Sequence, residues 1–413
     1  MKVKHVLMIT AVMLAMLAMP VAADTVVTHS VTESYEVSIP ESLTVGTAGT
    51  IGISGLLDAN TQVKISVASA NTWELKLGNK DSLSYKLYEG DSAISNYDKV
   101  LVAKAEELAS SGEKTLSATA KLDSDAEPKY RGDYTDVLTF TVTQEAVDGT
   151  SVLVSSYEEL KSAFTDGKSI LLINNIEIPN DADGLTVASG KTVTLNLNGH
   201  TISQKKAQTA AYAMITVKGT LTIADSIGSG AIRYEDTTVY NADPGWASNT
   251  IKNEGTLVID GGSIISDSSA NVASYGYPHA IDTYQGSSTT INGGTVDNEI
   301  YDAIRMFCNS GTENNAVTIT GGTIKGRVSL QHPSANIVAK GSLTITGGEF
   351  ITSDNVNANV RYLNFGNDHT NMMITVSGGT FDKGIKINDY ANSNPALTFD
   401  FLGFTLSGIT QLA

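Results

Sequence analysis

The sequence predicts an all-β protein: an N-terminal antiparallel β-sandwich, then a right-handed single-stranded parallel β-helix with a short N-terminal capping α-helix. Three observations carry that expectation. The phrase "LTITGGEF" at 343–350 returns as "VTITGGTI" (317–324), "TTINGGTV" (289–296), "LVIDGGSI" (257–264) and "ITVSGGTF" (374–381), with a looser copy, "LNLNGHTI", at 195–202. Before residue 146 the phrase is absent, and short alternating strands broken by polar turns stand in its place. Between the two regions lies one amphipathic segment with helix-start and helix-stop signals.

Residues 1–23, "MKVKHVLMITAVMLAMLAMPVAA", set Lys2 and Lys4 ahead of an apolar run that closes on small residues. That is the pattern of a secretory signal peptide rather than of a spanning helix, so a secreted or cell-surface protein is expected, with no membrane insertion of the mature chain. The formal charge of the 413 residues is −17, and without the two signal lysines it becomes −19. So acidic a surface disfavours nucleic acid and anionic membranes as partners. A polyanionic glycan would need a bridging cation such as calcium; no motif for one is present, and no metal or cofactor is expected. The single cysteine, Cys308 in "AIRMFCNS", excludes an intramolecular disulfide framework and reads as a small buried hydrophobe.

Residues 24–146 alternate apolar and polar side chains in "SYEVSIPESLTVG", "TQVKISVAS", "TWELKLG", "KTLSATAKL" and "DVLTFTVTQ", which predicts an Ig-like antiparallel sandwich. Arg131-Gly132-Asp133 spells the tripeptide that integrins read, but it serves the turn into the last strand. A polar linker, 147–151, precedes the second domain, 152–413. There Ser156 and Glu159 form a capping box, Leu160, Ala163 and Phe164 share one face, and Gly167 stops the helix expected over 156–166. A solenoid needs such a lid over the open end of its core.

In the repeated phrase Leu343 and Ile345 alternate with Thr344 and Thr346, a glycine pair makes the corner, and Phe350 faces inward beyond it. Strand, corner, strand is one edge of a polygonal coil, with rungs of about 22 to 28 residues plus variable loops. A degenerate copy, "LTIADSIGSGAI" from 221, fills the longest gap. A second column, "HAIDTYQ" (279–285), "DAIRMFC" (302–308) and "RVSLQHP" (327–333), reads as another face. It puts Ile281, Ile304 and Val328 inside, with Asp282, Arg305 and Ser329 stacked outside and Tyr284, Phe307 and Gln331 beside them.

Two resemblances add to this reading. The end strands of the first region, "YEVSIPESLTV" and "GDYTDVLTFTV", resemble those of small sandwich modules in Gram-positive bacterial surface proteins, where the opening strand pairs with the closing one. That implies a non-catalytic spacer or display module. Residues 152–413, through "YEELKSAF", "KTVTLNLNGHTI" and the "TITGG" repeats, resemble the pectate-lyase-like right-handed parallel β-helix superfamily, in particular its adhesin-like branch of bacterial surface proteins. That implies a fold and not an activity, since the superfamily holds lyases, hydrolases, phage spikes and adhesins.

Hydrolysis on this scaffold would need paired carboxylates, and the "N-T-D", "D-D", "G-H-G" and "R-I-K" motifs of polygalacturonase-like enzymes are absent. Asp282, Asp302 and Arg305 could mimic the acids and arginine base of a lyase, but in register Asp282 and Arg305 should neutralise one another as an exposed pair worth under ~1 kcal/mol. No catalytic residue is therefore assigned. His279, His332 and His369 lack the spacing of a zinc site. Aromatic residues are the better candidates for ligand binding. Tyr234, Tyr240 and Trp246 fall in an insertion at 233–249, Tyr275 and Tyr277 in a loop at 271–280, and Tyr284 and Phe307 on the coil. The expected function is a secreted or cell-surface, adhesin-like binding or display protein contacting glycans or a host or cell-surface protein; the alternative is a polysaccharide lyase or glycoside hydrolase with diverged site residues. The closing "LSGITQLA" shows no sortase motif or apolar anchor. It leaves the mode of attachment open, and nothing in the sequence sets the oligomeric state.

Overall fold

A computed structural model of the chain describes residues 34–207, 210–237, 248–268, 278–309, 313–332, 340–353, 358–364 and 372–389. The chain divides into two compact units between Gly149 and Thr150.

The first unit holds two antiparallel sheets. The larger orders strands Ser34–Ser38, Ala48–Leu56, Glu113–Leu122, Asp81–Glu89 and Glu74–Leu77, with Ser92–Ala93 beside Asp81–Glu89. The smaller orders Leu101–Lys104, Thr61–Ser69 and Leu138–Ala146. Period-2 alternation turns Ile51, Ile53, Leu116 and Ala118 of one sheet against Val63, Ile65, Leu101 and Ala103 of the other, and all are buried. The opening and closing strands do not pair as the surface-module resemblance implied. Ser34–Ser38 pairs with Ala48–Leu56, and Leu138–Ala146 pairs with Thr61–Ser69 in the other sheet. Alternation specifies which face a side chain takes; it leaves the neighbouring strand open. Helix α1 (Ala105–Ser111) was not expected; it buries Leu108 and stops at Gly112, whose φ is 78°. Gly132 lies at a bend ahead of the closing strand, and a Cβ there would come within 2.5 Å of the Leu77 side chain.

The second unit opens with strand Val152–Val154 and helix α2 (Tyr157–Asp166). The Ser156 hydroxyl accepts from the Glu159 N–H at 3.4 Å, the Glu159 carboxylate accepts from the Ser155 N–H at 2.8 Å, and Gly167 ends the helix at φ 73°. Leu160, Ala163 and Phe164 join the solenoid core as its lid.

From Ser169 onward the strands stack in parallel as a β-solenoid with three faces. On the first face Leu195 pairs with Ile223, then Ile259, Ile291, Ile319, Ile345 and Val376 in succession. On the second, Ile202, Ile232, Ile264, Val296, Ile324, Phe350 and Phe381 form the inner column. Its last two rings stack with centroids 4.5 Å apart. On the third face the column is Ile215, Ile251, Ile281, Ile304, Val328 and Val360. Burying each such side chain stabilises the coil by roughly 1.5–3 kcal/mol.

The looser first copy is offset from the others. Its register partner of Ile259 is Leu195, and Thr201 comes six positions later, whereas Ser263 comes four after Ile259. Leu197 and Asn198 fill the longer corner, and the Asn198 amide donates to the Leu172 carbonyl at 3.1 Å. The doubled glycines of later copies have two separate causes, both visible at Gly294. Its φ of 76° lies in the left-handed region, and a Cβ there would strike the Gly262 carbonyl oxygen one rung below. Gly190 shares that φ of 76° but faces open space. Gly190→Ala is therefore expected to cost about 1–2 kcal/mol, and Gly294→Ala distinctly more. Equal urea-denaturation midpoints for the two variants would contradict the packing half of the argument.

Candidate functional site

The outer surface of the third face holds the densest cluster of charged and aromatic side chains that the sequence singled out. Lys252, Asp282, Arg305, Ser329 and Arg361 stand in register on successive strands. Parallel in-register stacking brings together side chains that the sequence separates by a full rung. Asp282 and Arg305 do neutralise one another, but not as the exposed pair expected. Asp282 is 0 % exposed and Arg305 7 %. Arg305 donates from Nε to Asp282 Oδ1 at 2.8 Å and from Nη2 to Oδ2 at 2.5 Å, and the Asn249 amide reaches Oδ2 at 3.1 Å. Register showed that the two meet; it carried no information on solvent.

Asp302, 1 % exposed, lies two positions before Ile304, where the in-register stretch begins, across a register shift. It accepts from Arg327 Nε at 2.5 Å and faces Arg361 Nη2 at 3.4 Å, while Arg361 also donates to the Ser329 hydroxyl at 3.2 Å. Two aspartates thus face three guanidinium groups, a local positive excess on an acidic chain. His279 is buried beside them, its Nδ1 3.4 Å from the Asp302 carbonyl. Burial, with the Arg305 charge, pulls the His279 pKa down to about 4, so the imidazole is neutral near pH 7. Burial alone would raise the Asp282 carboxyl, but the charge and hydrogen bonds of Arg305 outweigh it and hold the group below its ordinary value. A carboxylate held ionised in this way is a poor general acid.

At the margin of the cluster two half-buried rings lie side by side, Tyr284 and Phe307, with centroids 5.7 Å apart. The Lys252 ammonium sits 4.6 Å from the Tyr284 ring centre and the Arg305 guanidinium 5.1 Å from that of Phe307. Arg305 Nη2 also reaches the Tyr284 hydroxyl at 3.4 Å. Burial, followed by the Asp282 charge, raises that phenol's pKa. The two rings are tilted by 53°, so the arrangement gives a shallow, angled apolar patch bordered by donors and acceptors.

Tyr234 is not part of this surface. The insertion begins later than expected, and strand Ala231–Asp236 carries Tyr234 inward with Ile232, to 0 % exposure and a ring contact with Tyr212 at 5.6 Å. The alternation of Ile232 with Tyr234 was the signal for this. Tyr240, Trp246, Tyr275, Tyr277 and His369 lie outside the described residues. His332 ends strand Thr323–His332. Cys308 is buried, and burial pushes its thiol up to about 12. Among the described residues no group of three or more His, Cys, Asp or Glu side chains could hold a metal ion.

Sequence reasoning missed Asn249, Arg327 and Arg361 as members of the cluster. For the two arginines the signal was a place next to the inward Val328 and Val360, in "GRVSLQH" and "VRYLN"; Asn249, two positions before the inward Ile251, carried none. Comparison with protein-family models, with curated proteins and with solved structures returned no match.

Proposed function

We propose that the protein is an exported, adhesin-like binding or display protein of the secreted or cell-surface class, whose β-helix flank contacts glycans or a protein partner. On this reading the second unit is a pectate-lyase-like β-helix and the first a surface-type sandwich module. One observation carries the functional part: the Tyr284–Phe307 ring pair, held between Lys252 and Arg305 on a rigid sheet. Aromatic faces accept the apolar faces of sugars, and pre-set donors beside them take hydroxyls at little ordering cost. The ion pairs that fix Arg305 keep the patch in place without a ligand.

The test is a glycan array probed with the full chain and with Tyr284→Ala/Phe307→Ala. Wild-type signals that fall at least tenfold in the variant support the reading; signals that do not change remove this flank as the contact surface. A parallel assay for reducing sugars and unsaturated products on pectin and alginate addresses the lyase or hydrolase alternative. Turnover by the wild type that is abolished in Asp282→Ala or Arg305→Ala, in a variant that urea denaturation shows to be still folded, would replace binding by catalysis. Fractionation of cells and medium tests export.

A further inference from the structure

We propose that the sandwich unit carries a saccharide-binding site of its own, a cleft of about 500 Å³ walled by Trp73, Tyr85 and Tyr97, which takes the pyranose ring of a neutral glycan. This site is independent of the β-helix flank.

Backbone strain is the first observation. Thr72 and Trp73 have φ of 56° and 66°, consecutive left-handed residues without a glycine. For a β-branched and a bulky aromatic side chain that conformation is costly and survives only where the surroundings over-determine it.

The surroundings are a hydrogen-bonded clamp centred on Asp136. Its carboxylate accepts from the Ser69 hydroxyl at 2.6 Å, the Tyr85 hydroxyl at 2.8 Å and the Asn71 N–H at 3.1 Å. The Ser69 oxygen in turn accepts from the Trp73 N–H at 2.7 Å. So strand Leu138–Ala146, through the residue that leads into it, holds a strained turn whose outcome is the position of one indole. That indole stacks on Tyr97 with centroids 3.8 Å apart and an interplanar angle of 19°, and it meets Tyr85 edge-on at 5.7 Å. Tyr97 is tied by its hydroxyl, which accepts from the Leu87 N–H at 3.3 Å. A hydrophobic core alone does not require this, since Trp73 and Tyr97 both remain half-buried and line the cleft.

The polar border sets the ligand class. Glu74, Lys86 and Asp123 line the same cleft, with Lys86 and Asp123 paired at 3.2 Å. Two acids and one base supply acceptors and a donor for hydroxyl groups, while the negative balance disfavours uronic or sialic acids. Near-parallel stacking of Trp73 on Tyr97 gives a platform rather than the box of crossed rings that encloses a quaternary ammonium.

Saturation-transfer NMR and tryptophan fluorescence of the full chain, with cellobiose, maltose and chitobiose as probes, test the proposal. At least one disaccharide is expected to bind, with at least tenfold loss in Trp73→Ala and in Tyr97→Ala. No loss is expected in Tyr284→Ala/Phe307→Ala, which separates this site from the β-helix flank. Thr72→Gly, which relieves the strained φ, is expected to keep or raise the melting temperature while weakening binding, so a loss there is not a folding defect. Absence of binding by all three sugars, binding that survives Trp73→Ala, or binding of choline in their place would overturn the proposal.

Discussion

Arg305→Ala is expected to destabilise the β-solenoid by about 3–5 kcal/mol, because it strands the Asp282 charge in a site with no access to water. Asp282 is fully buried, and Arg305 donates two hydrogen bonds to its carboxylate beside the one from Asn249. The pair itself need not be a net source of stability, since desolvating two charges offsets much of their attraction. That distinction gives the sharper prediction. Asp282→Leu with Arg305→Met, which removes both charges and keeps volume, should restore most of what Arg305→Ala loses. Urea denaturation of the full chain, with amide exchange at 279–283 and 302–307 as the local readout, measures both variants. A single-variant cost under ~1 kcal/mol is the value for a solvent-exposed pair, and it would show that the burial is not maintained in solution.

Acidification from pH 7 to pH 5 is expected to weaken the same unit through His279. The imidazole has an ordinary pKa of 6.5 and is held at about 4 in the fold. Below pH 6.5 the unfolded chain takes up a proton that the folded chain refuses, so the unfolded state binds more protons and stability falls as pH falls. With these values the loss is about 2 kcal/mol by pH 5, approaching about 3 kcal/mol near pH 4. The charged groups facing the ring are Arg305 and Asp302 on the next rung and Asp282 on the ring's own strand. Asp282 acts in the same direction, but its stabilisation is lost only as pH falls below its ordinary 3.8. The interval from pH 6.5 to 4.5 therefore reports mainly on the histidine. His279→Gln should flatten the stability profile there; an equal slope in wild type and variant would assign the acid response elsewhere.

The coil was legible because its causes are local. Leu343, Ile345 and Phe350 lie at 0–1 % exposure, as alternation around a glycine corner requires. Ser156, Glu159 and Gly167 bound the capping helix for reasons contained in a dozen residues. The site was legible only in part. Asp282 could be matched with Arg305 because a parallel register converts rung spacing into contact. Tyr234 was misplaced because the start of an insertion leaves no mark in composition, and Asn249 and Arg361 were missed because each is an ordinary polar residue when seen alone.

By itself, then, the sequence determined which side chains point toward the axis and where the chain turns, since period-2 alternation and left-handed glycines act within a few residues of one another. Only the tertiary structure decided which outward side chains lose their water, which guanidinium each aspartate meets, and that Thr72 and Trp73 are held in a strained turn. Those outcomes depend on groups that folding brings together from far along the chain, and no local pattern records them.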